Sequence, residues 1–161
     1  MRELLAAKTS KELTDYELRS NVESNLWMLS PEAFLYFLPA FLHASLKSYV
    51  SVSVFASELI TALTEPSRTD ITDALDHVDQ IPSGLGFPKD MTDLLRKQQL
   101  EWFDSGVPSA IFHERFDRLT QAEGAAILAF LVAFQEAHGA DFPFGELETA
   151  IDRHWAHYRD S

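Results

Sequence analysis

Residues 30–47 read SPEAFLYFLPAFLHASLK, a stretch in which most side chains are apolar or aromatic. Ser30 before Pro31 is a helix-start signal, because serine caps the first amide groups and proline lacks an N–H that would have no partner there. The stretch predicts a helix from Ser30 to about Lys47 that is buried nearly all round and therefore central. Pro39 lies in its interior, where the loss of a backbone hydrogen bond predicts a kink.

Helix signals recur on both sides of this stretch, and no segment predicts a sheet. Thr14–Glu17 and Thr120–Glu123 have the capping-box pattern, in which two side chains satisfy amide groups at a helix start. Apolar spacings of three and four predict further helices over Thr14–Leu29, Val52–Leu63, Asp70–Val78, Asp90–Asp104, Pro108–Leu119, Thr120–Gly139 and Pro143–Tyr158. A Gly- and Pro-rich loop is predicted at residues 81–88. The sequence therefore predicts an all-α single domain over residues 1–161, a compact bundle of about six to eight helices around the central one.

Residues 49–55 are ambiguous, because apolar and polar side chains alternate there with the period of a strand. A lone strand would have no partner elsewhere in the chain. Phe55, Leu59 and Leu63 restore the helical spacing, so a helix is predicted here as well.

Composition limits the function classes. The chain of 161 residues is 46% hydrophobic and has no cysteine, which excludes disulfides, thiolate metal sites and a cysteine nucleophile. The net charge of −12 repels nucleic acid and anionic membranes. The apolar stretches are far shorter than the about 20 residues of a membrane span, and no signal peptide is evident. A cytoplasmic protein is expected.

Two groups of side chains are candidates for chemistry: His154 and His157 with Asp152, and His113 with Glu114 and Asp117. The first pair could ligate zinc or iron, but a metal site needs a third ligand, and no metal-binding motif supplies it. In the second group, a carboxylate could orient an imidazole for general acid–base catalysis. No nucleophile elbow, phosphate loop or dinucleotide motif is present. The sequence predicts no metal, no cofactor and no enzyme; a small enzyme or ligand-binding protein with a pocket near Pro39 is the alternative.

Acidic residues concentrate in one segment of the chain: Glu58, Glu65, Asp70, Asp73, Asp76 and Asp79. Arg68 is the single basic residue within that segment. The four aspartates recur every three residues, a row that drifts around the predicted helix opposite its apolar stripe. One interpretation is an ordinary solvated face. The other is a docking surface for a basic partner, since complementary charge raises the association rate and rejects wrong partners.

Residues 29–42 resemble a family of small bacterial helical proteins of unknown function, in which a Pro-Glu-Ala-Phe and Leu-Pro-Ala-Phe pairing, here within residues 31–41, is typical. Residues 116–120, followed by 126–127 and 130–131, are similar to the second block of that family. Both blocks are mainly apolar, so the resemblance implies a shared core and transfers no active site. In general character, small acidic cytosolic proteins of this kind resemble the immunity proteins that neutralise bacterial toxins.

The leading hypothesis is an acidic protein-binding module, an immunity protein that covers the basic surface of a toxin such as a nuclease. Its partner is then a protein, not nucleic acid and not a membrane. A third interpretation is a self-associating scaffold, anchored by exposed aromatic side chains such as Trp102 and Phe87. The sequence leaves the oligomeric state open.

Overall fold

A computed structural model describes residue 9 and residues 12–81 and 88–159. The α-helices of this part of the chain are α1 (Asp15–Glu17), α2 (Pro31–Lys47), α3 (Tyr49–Leu63), α4 (Arg68–Asp79), α5 (Lys89–Asp104), α6 (Val107–Phe116), α7 (Gln121–His138) and α8 (Glu146–Arg153). A π-helical stretch at Leu18–Val22 and a 3-10 helix at Glu23–Met28 follow α1, and further 3-10 turns lie at Gly139–Asp141 and Trp155–Tyr158. The described residues contain no strand, so the all-α prediction is confirmed. Most of the loop predicted at 81–88 falls outside them.

The chain divides into two compact units. The first unit comprises the described residues up to Glu65 and from Glu114 onward, and the second comprises those within Pro66–His113. The prediction of a single domain over residues 1–161 stays a prediction.

The core of the first unit is aromatic. Its largest fully buried side chains include Phe34, Phe41, Phe55, Phe116, Phe134 and Trp155. Helix α3 packs against α2, against residues 18–28 and against α8. Edge-to-face ring contacts link successive elements, as between Phe34 and Phe116 at 5.8 Å and between Phe116 and Trp155 at 5.1 Å. Such ring pairs contribute beyond the area that they bury.

Helix α2 buries one face rather than its whole surface, which corrects the prediction of a helix buried nearly all round. Phe34, Phe37 and Phe41 are buried, whereas Tyr36 and Leu46 are exposed. Tyrosine tolerates this position because its ring packs edge-on against Phe37, 4.9 Å away, while its other side meets water. The helix continues through Pro39, and the kink predicted there stays a prediction.

Both predicted capping boxes are present. In α7 the Thr120 backbone N–H donates to the Glu123 carboxylate at 2.8 Å, and the Glu123 N–H donates to the Thr120 hydroxyl at 3.3 Å. The Thr120 hydroxyl also donates to the Glu123 carboxylate at 2.7 Å, and this bond first, then the bond from the Thr120 backbone N–H, lowers the pKa of Glu123. A helix end whose amide groups are satisfied in this way begins at a fixed residue.

Arg115, on the last turn of α6, joins distant parts of the first unit. Its Nη2 donates to the carbonyl oxygens of Leu26, Trp27 and Leu29 at 3.3–3.4 Å, and its guanidinium carbon lies 4.3 Å from the centre of the Phe34 ring. Only 4% of the residue is exposed, and burial lowers the pKa of Arg115 because the charged form loses hydration. No carboxylate among the described residues pairs with it.

The end of α3 is closed by the C-terminal segment. The indole Nε1 of buried Trp155 donates to the Leu63 carbonyl oxygen at 2.7 Å, and Arg153 donates to the Glu65 carbonyl oxygen at 2.8 Å. The last carbonyls of a helix have no partner within it, so the bond from Trp155 satisfies a buried acceptor at the end of α3, and the bond from Arg153 holds the chain two residues beyond it.

Candidate functional site

The six acidic residues of the predicted site lie on two different units. Glu58 is exposed on α3 and Glu65 is half-buried just after it, both in the first unit. The other four residues lie on α4 in the second unit, where all are exposed: Asp70, Asp73, Asp76 and Asp79. Only these four are brought together by one element, and we call them the α4 aspartates.

Helix α5 packs against α4 and supplies a cation that the sequence did not reveal. The Arg96 guanidinium donates to Asp76 at 2.9 Å and to Asp79 at 2.7 Å. These two hydrogen bonds, first that to Asp79, raise the pKa of Arg96. Half of the α4 aspartates are therefore partly neutralised within the unit. Asp73 forms no ion pair within the described part of the chain.

The other basic residues of the second unit are paired in a similar way. Arg68 donates to Asp104 at 3.1 Å, and Lys97 lies 3.8 Å from Glu101. Between Pro66 and His113 the sequence has eight acidic and four basic residues. The excess of acids gives the unit a net negative surface, and three of the four bases already have carboxylate partners.

Helix α5 leaves apolar side chains uncovered. Met91, Leu94 and Trp102 are 46%, 54% and 51% exposed, while Thr92 is the residue of α5 that is buried. At spacings of three and eight residues these three side chains share one helix face, which we call the α5 stripe. The interpretation as a self-associating scaffold requires exposed aromatic anchors, and Trp102 is exposed; Phe87 lies outside the described residues.

The histidine candidates have structural contacts. The rings of His154 and His157 stand edge to face with centres 5.4 Å apart, and His154 also contacts the ring of Trp155. His113 stands edge-on to Phe112, and Glu114 and Asp117 are exposed. Within the described ranges, no three histidine or acidic side chains are placed to hold a metal ion.

A surface pocket of about 490 Å³ lies at the start of α8, lined by Phe144, Gly145, Glu148, Thr149, Asp152 and Arg153. Asp152 is the one residue of the two candidate groups in this lining. The pocket is not at Pro39 and has no histidine in its lining. The alternative of a small enzyme or ligand-binding protein stays a prediction.

Comparison with models of protein families, with curated proteins and with solved structures finds no match for this chain. The resemblance of residues 29–42 and 116–131 to a family of small bacterial proteins therefore stays a prediction. None of the helices in the described part of the chain is both long and apolar enough to cross a bilayer.

Proposed function

We propose that this chain is a protein-binding module of the cytoplasm that covers the basic surface of a partner protein, as an immunity protein covers a toxin. The observation that carries the proposal is the second unit, where acidic side chains outnumber basic ones two to one and most of the basic ones are paired internally. Such a surface steers a cationic partner toward it and repels anionic molecules.

The α4 aspartates support this proposal better than the full set of six acids does. They lie on one helix, and all four are exposed. A row of like charges destabilises its own helix by a few tenths of a kcal/mol per pair. That cost is offset when a basic partner binds, which favours an interaction surface over a solvated face.

A charge-reversal pair tests the proposal. The tagged chain is expressed in its native cell, and its partner is captured and eluted in steps of rising salt. We expect a basic partner that Asp70→Lys/Asp73→Lys fails to retain, because two reversals leave as many basic as acidic residues in the second unit and so remove its net attraction for a cation. Circular dichroism shows whether the variant is folded.

Glu148→Lys/Asp152→Lys is the matched control. It reverses two exposed carboxylates on α8 of the first unit and changes the net charge by the same amount. The control is expected to capture the same partner at the same salt concentration. Equal retention by both variants and the unmodified chain, or equal loss from both variants, would refute the assignment to α4.

A further inference from the structure

The α5 stripe carries an inference about the partner, which rests on the proposed function. Trp and Met are enriched at the centres of protein interfaces, where a few side chains account for most of the binding energy. Here Trp102 and Met91 lie on one helix face with Leu94, each about half exposed. A helix that buries only Thr92 while it holds these side chains in water has an apolar face available for binding.

Acidic side chains lie along one side of this face. At 100° per residue, exposed Asp90 and Glu101 lie next to Leu94 around the helix, and exposed Asp93 lies further round on the same side. Lys97 lies on the same side and is paired with Glu101, and Arg96, two residues after Leu94, is paired with Asp76 and Asp79. The surface is therefore an apolar stripe with a mainly acidic rim along one side.

The charge of the rim selects the occupant. A second copy of this chain would bring one acidic rim against another, and the whole chain has a net charge of −12. Like charges placed together in an interface suppress association. A segment with apolar side chains on one face and lysine or arginine beside them would satisfy both the stripe and its rim.

We infer that the α5 stripe binds an amphipathic basic helix of the partner protein. The stripe spans twelve residues from Met91 to Trp102, and the eleven steps between them at 1.5 Å each make about 16 Å, or three helical turns. A partner helix of about three turns presents side chains at i, i+3, i+4 and i+7, the spacing by which helices bind in apolar grooves. The α4 aspartates then add attraction at longer range.

A synthetic peptide tests this inference with the full-length chain. The probe is a fluorescein-labelled helical peptide of about 14 residues, with leucine at i, i+3, i+4, i+7 and i+11 and lysine at the flanking positions. Its twin has glutamate in place of every lysine. Fluorescence anisotropy measures the affinity of both peptides at low and high salt, and light scattering reports the oligomeric state of the chain.

Three variants test whether the peptide binds at the α5 stripe. Trp102→Ala is expected to weaken binding of the basic peptide at least about 30-fold, the loss typical of a hot-spot tryptophan, and Leu94→Ala is expected to weaken it less. Trp27→Ala is the control, because Trp27 is 69% exposed in the first unit and should leave the affinity unchanged. Binding of the basic peptide should weaken with salt, and the acidic twin should not bind.

Three results would overturn the inference: no binding of the basic peptide, equal binding by the Trp102→Ala variant, or self-association that Trp102→Ala abolishes. If any of them occurs while Asp70→Lys/Asp73→Lys still loses the captured partner, the proposed function stands and only the helical occupant is wrong. If that variant keeps its partner, the proposed function fails separately.

Discussion

Replacing Arg115 by methionine should destabilise the first unit, although the substitution removes a buried charge. The guanidinium lies against the Phe34 ring at 4.3 Å and donates to three carbonyl oxygens at the end of residues 23–29. Methionine fills a similar volume but donates no hydrogen bond. The Leu29 carbonyl oxygen would then be buried without this donor, whereas the Leu26 oxygen keeps its bond from the Leu29 N–H.

The magnitude follows from these contacts. An acceptor left buried without its donor costs about 1–3 kcal/mol, and a desolvated cation–π contact contributes about 2 kcal/mol. The donor–acceptor distances of 3.3–3.4 Å place the hydrogen bonds at the weak end, and removing the charge recovers part of its desolvation cost. We expect Arg115→Met to lower the free energy of unfolding by about 2–4 kcal/mol.

Urea unfolding followed by circular dichroism measures this loss. Arg118→Met is the control, because Arg118 is exposed three residues further along the chain, and its change should stay within about 0.5 kcal/mol. Arg115→Lys keeps the charge without the planar donor group, so it should lose most of the same stability. An Arg115→Met protein as stable as the unmodified chain would refute the reasoning. The cost of burying the Arg115 charge would then equal all the stabilisation that its hydrogen bonds and its contact with Phe34 provide.

Three further changes test the packing of the first unit. Gly124→Ala should destabilise the first unit by about 1–3 kcal/mol, because a methyl group there would overlap the Tyr158 ring. Adding Tyr158→Ala should relieve this loss in a double-mutant cycle measured by urea unfolding. Strictly additive effects of the two substitutions would disprove the contact. Glu123→Gln should make the free energy of unfolding less sensitive to acid. Folding lowers the pKa of Glu123, so the carboxylate contributes its full stabilisation above the ordinary pKa of 4.5 and loses it as pH falls through the folded pKa. The urea midpoints of the two proteins should therefore converge below about pH 4.5, and a gap that widens there would contradict this. Trp155→Phe removes the hydrogen-bond donor to the end of α3 and part of a buried ring, so it should lower the free energy of unfolding by about 2–4 kcal/mol and lower the Tm. An unchanged Tm would show that the bond contributes nothing.

Local signals predicted most of the helices, because caps and apolar spacing act within a few residues. Residues 49–55 illustrate the physical choice: Val52 is buried while Val50 and Val54 are exposed, so the alternating valines do not share one buried face. The backbone of α3 has non-helical dihedral angles at Val52, the residue at which the sequence predicted this helix to start. The sequence predicted one regular helix over this region, but residues 15–28 change from α to π to 3-10 geometry. No local sequence pattern predicts that change.

Contacts between distant residues account for what the sequence missed. A basic residue is ordinarily exposed, so nothing in the sequence separates buried Arg115 from exposed Arg118. The partner of Asp76 and Asp79 is Arg96, 17 to 20 positions away on the next helix. Likewise, Met91, Leu94 and Trp102 have the spacing of an apolar helix face, and only the packing of α5 shows that this face is uncovered.

Hydrogen exchange on the complex tests the central claim most directly. The full-length chain is compared free and bound to the partner that it captures. The proposed function predicts slower amide exchange in Arg68–Asp79 and Lys89–Asp104 on binding, with no change in Glu146–Arg153. Protection confined to the first unit, with α4 and α5 exchanging as fast in the complex as in the free chain, would contradict it.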